Sequence, residues 1–140
     1  MHARAGAMSG LTFDAGALIA LERRKQSMVR VYTTAQRAGV RITVPTVVLA
    51  EWWRAGGGRR LRERVVASVH VEDLTKRIAM LVGEALGVVV GAKPNQGTLD
   101  GIVMTSARLR GGVIYTTDVD DTGSLRARVP AFAGVRIEHA

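Results

Sequence analysis

A chain of 140 residues with 47% apolar composition has the size of one domain and can bury roughly two-thirds of its unfolded surface without added staples. It has no cysteine, which excludes disulfides and thiolate metal sites, and no apolar run approaches the ~18 residues of a membrane span. The formal charge is +8, from 20 Lys+Arg against 12 Asp+Glu, a balance that favours nucleic acid as a partner. Only Lys25, Lys76 and Lys93 are lysine, so arginine dominates. Arginine forks match phosphate geometry, although codon bias in a GC-rich genome would give the same excess.

Met1 to Gly10 lack the apolar core of a signal peptide and read as a flexible N-terminal arm, leaving 11–140 as a single domain. A cytoplasmic protein is the default expectation. Leu11-Thr12-Phe13 reads as a short buried strand, ended by Asp14 and Gly16, with a helix over Ala17–Arg24. Ser27 can cap a second helix to about Ala38, which Gly39 ends. Arg41–Val44 alternates as a strand, and Pro45 opens a helix over Thr46–Arg54. After Gly56-Gly57-Gly58, an Arg-rich amphipathic helix covers Arg59–Ala67.

Ser68–Val71 is a weaker strand, and Leu74–Leu86 is a helix. Gly87–Gln96 is mixed: Val88–Val90 suits a strand or a helix end, and 91–95 a loop. Thr98 is placed to cap a helix to Leu109, with Ile102, Val103, Ser106 and Leu109 at core spacing. Val113–Thr116 is the clearest strand, Asp118–Asp121 looks turn-like, and Val135–Glu138 is the last strand. Strands alternating with helices predict an α/β domain with a mainly parallel central sheet.

Four carboxylates stand at element edges beside apolar residues: Asp14, Glu51, Asp100 and Asp118. In a parallel sheet the carboxyl ends of the strands share one edge, where ligands bind. Asp14 and Asp118 follow strands directly, Glu51 sits in the helix after the second strand, and Asp100 lies in a first helical turn. Each has a plainer reading. Asp14 suits an N-cap, Glu51 a surface position, Asp100 a helix-start acid, and Asp118 a turn. Together they would repel one another unless a cation sat between them. Oxygen donors alone suit Mg²⁺ or Mn²⁺, and Mg²⁺ keeps several waters, so some of the four should act through water. Such an ion activates water and neutralises phosphate charge, which points to phosphodiester hydrolysis.

Other chemistries are poorly served. The histidines are His2, His70 and His139, two of them near the ends of the sequence, which disfavours a histidine base. There is no P-loop and no G-x-G-x-x-G after a strand. Asp118-Val119-Asp120 has the D-x-D spacing of some phosphatases. Trp52 and Trp53, adjacent on a helix, should point apart, one inward and one toward a groove or partner.

The segments Leu11–Ala20, Val44–Glu51, Thr98–Ala107 and Val113–Asp118 resemble PIN-domain ribonucleases of the VapC toxin type, in order and spacing. The resemblance implies a PIN-like (Rossmann-like) α/β/α sandwich over nearly all of Leu11 to Glu138. It also implies that Asp14, Glu51, Asp100 and Asp118 are the catalytic acids binding Mg²⁺, with Mn²⁺ as a substitute. A further acid sometimes found in the family falls at Asp120 or Asp121, and Thr116 matches a hydroxyl residue that supports the site. Two positions depart from the pattern: Gly101, where a better helix former is usual, and Met104, where a small residue is common. The implied biology is the toxin of a toxin–antitoxin pair, an endoribonuclease cleaving RNA with metal-activated water, held by an antitoxin and commonly homodimeric. The competing expectation is a non-catalytic PIN-like module that binds RNA or protein.

Overall fold

The computed structural model describes residues 10–89 and 97–140. The N-terminal arm, apart from Gly10, the 91–95 loop and Val90 of the Val88–Val90 segment lie outside the described residues. Five strands, β1 (Leu11–Phe13), β2 (Ile42–Pro45), β3 (His70–Glu72), β4 (Val113–Thr116) and β5 (Arg136–His139), form one sheet in the order β3-β2-β1-β4-β5. Every pairing is parallel, so the sheet is wholly rather than mainly parallel.

Among the described residues seven helices connect them: α1 (Ala15–Glu22), α2 (Gln26–Ala38), α3 (Thr46–Arg54), α4 (Arg59–Ser68), α5 (Lys76–Leu86), α6 (Thr98–Leu109) and α7 (Val119–Arg128). The chain steps outward from β1 to β2 and β3, then returns to β4 on the other side of β1 and continues to β5. Right-handed crossovers place α1–α4 on one face and α5–α7 on the other. The result is the α/β/α sandwich expected from the sequence. The reversal makes β1 and β4 neighbours with opposite onward directions, a switch point where a crevice opens beyond the strand ends.

The inner strands are covered on both faces, with Phe13, Ile42, Val44 and Ile114 all buried, whereas the edge strands β3 and β5 are polar and half-buried or exposed. Trp52 and Phe132 complete the core, with Trp52 inward and Trp53 40% exposed, as adjacent helical positions require.

Several local expectations are corrected. Thr98 does not cap α6; Gly97, in the left-handed region at φ 74°, precedes the helix and Thr98 is its first residue. Ser27 does not cap α2, since Lys25 occupies that position and no side-chain cap bond forms. Leu109 is exposed rather than core, while Ser106 is buried with its hydroxyl bonded to Glu72 at 2.6 Å. Asp118–Asp121 is not a turn: Asp118 precedes α7 and Val119–Asp121 begin it, a helix poor in apolar residues that runs on through Gly123. A 3₁₀ turn at Pro130–Phe132 then leads into β5.

Gly101 also differs from expectation. It is buried, and a Cβ there would lie 2.8 Å from Leu86 Cδ1 and 3.2 Å from Val82 Cγ1. The glycine lets α5 and α6 approach closely, so it serves packing and is not a weak helix start. Met104 is fully buried, its length filling the core beneath α6.

Candidate active site

Asp14, Glu51, Asp100 and Asp118 line one cleft of about 320 Å³ together with Gly16, Val48, Arg54, Val103 and Thr117. Two of the acids arrive at the switch point on adjacent strands. Asp14 follows β1, Asp118 follows β4 by two residues, and the Asp14 amide bonds to the Tyr115 carbonyl. Glu51 projects from α3, and Asp100 from the first turn of α6.

Asp14 does two things. Its Oδ1 accepts from the Ala17 amide at 2.8 Å, capping α1, and its carboxylate still faces the cleft. The capping role weighed from the sequence therefore coexists with a place in the cleft. Asp118 occupies the equivalent position before α7 but makes no side-chain cap bond, which leaves both its oxygens to the cleft.

Burial pushes the Asp14 carboxyl above the ordinary aspartate value of 3.8; hydrogen bonds from Thr116 and Ala17 oppose this, and the charges of Asp100 and Glu51 add to it. Asp100 keeps solvent access but loses hydration at the cleft wall, which raises its carboxyl in the same direction, and Asp118, Asp121 and Glu51 repel it further. Asp14 and Asp100 thus each feel the charge of neighbouring acids in the cleft. Thr116 is fully buried; its hydroxyl accepts from the Asp118 amide at 2.9 Å and favours the charged form of the Asp14 carboxylate.

Of the two further acids, Asp121 acts on Asp100 and lines an adjoining pocket, whereas Asp120 is exposed and lines neither cavity. The D-x-D pair therefore does not converge. Sequence reasoning overlooked Arg54, Gly16 and Thr117. Arg54 lies three residues after Glu51, on the same side of α3, a spacing the sequence shows. A Cβ on Gly16 would meet Thr117 Oγ1 at 2.2 Å, so the glycine admits the β4–α7 turn against α1. No sequence signal marks that contact.

Among the described residues, no three Asp, Glu, His or Cys side chains form a group close enough to grip a metal ion directly. The donor set still fits a hard cation that keeps part of its water shell. It offers only oxygens, its four carboxylates outnumber the single Arg54 guanidinium in the cleft, and Mg²⁺ takes one or two carboxylates directly and the rest through water. No described helix is long and apolar enough to cross a membrane.

The α/β/α sandwich with its parallel five-stranded sheet is a fold shared with chains of two solved VapBC complexes. A solved VapBC2 complex from Rickettsia felis, bound to a DNA fragment from its promoter, matches with a TM-score of 0.67 at 13% identity, covering 93% of this chain and 98% of that one. A DNA-bound VapBC from Salmonella typhimurium matches with a TM-score of 0.62 at 18% identity, covering 93% and 97%. No protein-family model and no curated protein matches the sequence.

Proposed function

We propose that this chain is the toxin of a toxin–antitoxin pair, a Mg²⁺-dependent endoribonuclease. The observation that carries the reading is the gathering of Asp14, Glu51, Asp100 and Asp118 in one cleft of a protein with net charge +8. Positive charge elsewhere draws the RNA backbone, and the acidic cleft suits a cation.

Asp14, Asp100 and Asp118 would hold Mg²⁺ or Mn²⁺, with Glu51 acting through water. The bound ion would supply acidified water and neutralise charge on the phosphate oxygens. Thr116 holds Asp14 and the Asp118 backbone in register. Arg54 brings positive charge to the same cleft, suited to a phosphate oxygen. The partner we infer is a protein antitoxin that answers the acidic cleft with a basic side chain. This rests on the shared fold with chains crystallised in VapBC complexes. A homodimer and a cytoplasmic location belong to the same reading.

The purified chain should cleave RNA with Mg²⁺ or Mn²⁺ and stop on chelation. Asp14→Asn and Asp100→Asn should each abolish cleavage without unfolding the protein, and undiminished cleavage by either would refute the site. Expression should arrest a bacterial host, and the Asp100→Asn form should not. One observation favours the non-catalytic alternative: no described acids stand at direct chelating distance as a group of three. RNA binding without metal-dependent cleavage would decide for it.

A further inference from the structure

A second cavity of about 330 Å³ adjoins the acidic cleft and shares Asp100 with it. That volume is at the lower end of small-ligand pockets, roughly 300–1,000 Å³. Leu86 from α5 and Leu125 from α7 supply apolar surface. Asp121, Ser124, Leu125 and Arg128 also line it, at spacings of three, four and seven residues, so they occupy one face of α7. None of the salt bridges among the described residues involves Arg128 or Asp121.

We propose that this cavity is a base subsite for the nucleotide beside the scissile phosphate, and that it prefers guanine. The inference rests on the nuclease reading for its place in the reaction. The apolar surface suits the face of a base and not a phosphate, which Asp100 and Asp121 would repel at the near end. Polar groups of opposite character then stand along one line, Asp121 accepting, Ser124 accepting or donating, and Arg128 donating.

Guanine carries the complementary edges. Its O6 and N7 accept a bidentate arginine, and its N2 amino group donates. Seven residues of α7 separate Asp121 from Arg128 by roughly 10 Å along the axis. A purine with a hydrogen bond at each edge spans a comparable distance. Adenine would set its N6 donor against the arginine, and a pyrimidine is too short to reach both ends.

The full chain in Mg²⁺ buffer, titrated with 5′-GMP, AMP, CMP and UMP and followed by NMR, tests this without any cleavage. GMP should bind most tightly, with shifts concentrated in α7. Arg128→Ala should lower the GMP preference about 5- to 150-fold, the usual worth of a bidentate base contact. Arg128→Lys should lose it too, because a point charge keeps phosphate attraction but not the fork. Equal binding of all four nucleotides would overturn the subsite, as would a GMP preference that survives in Arg128→Ala. In randomised RNA, cut sites should be enriched in G beside the scissile bond, and Arg128→Ala should flatten that enrichment while still cutting. Absence of any cleavage by the native chain counts against the nuclease reading alone, since the nucleotide titration still decides the subsite.

Discussion

The Thr116 hydroxyl accepts the Asp118 amide hydrogen at 2.9 Å while favouring the charged form of the Asp14 carboxylate, so one buried side chain acts on the ends of two neighbouring strands. β1 and β4 pair in parallel only as far as Tyr115, after which the chains diverge into α1 and α7. Thr116 keeps the two acids facing the same cleft beyond that point.

Replacing Thr116 with Val preserves shape and removes the bond to the Asp118 amide together with the hydroxyl's pull on Asp14. Leaving buried polar groups unpartnered costs about 1–3 kcal/mol, which should appear as a lower denaturation midpoint. The Asp14 carboxyl should rise further, because the Thr116 bond pulls it down. If Asp14 holds the cation, Mn²⁺ affinity measured by calorimetry should fall about 10- to 100-fold, as for other supporting residues. Thr116→Ser should restore most of it. A valine variant with native Mn²⁺ affinity would remove Thr116 from the site.

The raised Asp14 and Asp100 carboxyls carry a pH signature. A carboxyl whose folded pKa exceeds its unfolded value near 3.8 favours the native state below that pH. The contribution is lost as pH rises through the folded value, so near neutrality the ion-free protein bears the full repulsion. Asp14→Asn, which keeps a competent cap, and Asp100→Asn should therefore melt higher than the native chain at pH 7 under chelation. The advantage should vanish below about pH 3.8. Saturating Mg²⁺ should stabilise the native chain and not the variants. Native and variant proteins that respond alike to chelation would show that the cleft holds no ion.

Gly101→Ala sets helix propensity against packing. Alanine gains up to about 1 kcal/mol in a helix interior. Its Cβ would lie 2.8 Å from Leu86 Cδ1 and 3.2 Å from Val82 Cγ1. Overpacking typically costs about 1–3 kcal/mol, so chemical denaturation should report a net loss. A gain would mean that Leu86 yields freely into the adjoining pocket.

What the sequence made legible was local. α3 begins and ends where Pro45 and the glycine run place it, β4 lies where its apolar run lies, and Asp14 and Asp118 follow strands whose direction the α/β pattern implies. α7 escaped because Val119 and Leu125 give too little periodicity around Gly123. The close approach at Gly101 depends on side chains from another helix, which no local pattern encodes. The arginine excess was harder still. Most of α4 is exposed, as its composition suggests, but Arg62 is not available to phosphate at all.

Arg62 is buried against Glu22, forty residues earlier, with its Nε 2.7 Å and Nη2 2.8 Å from the carboxylate oxygens. Its Nη1 donates to the Trp52 and Trp53 carbonyls at 2.7 and 3.2 Å, and Nη2 reaches the Gly56 carbonyl, so it closes the C-terminal end of α3. The guanidinium also lies 4.9 Å from the Trp52 ring centre. That helix carries Glu51 and Arg54 into the cleft, so the pair supports the site from behind. Arg62→Ala strands a largely buried carboxylate and frees several carbonyls, and breaking such a pair costs about 3–5 kcal/mol. The Arg62 bonds hold the Glu22 carboxyl below its ordinary 4.5, so this contribution is complete above that pH and lost as pH falls through the folded value. Removing the pair should therefore flatten the acid limb of the stability curve, while the loss seen at pH 7 remains. Urea titrations of the native and Arg62→Ala proteins at pH 7 and below pH 4 measure both effects, and an equal gap at the two pH values would show that the pair is not what acid breaks.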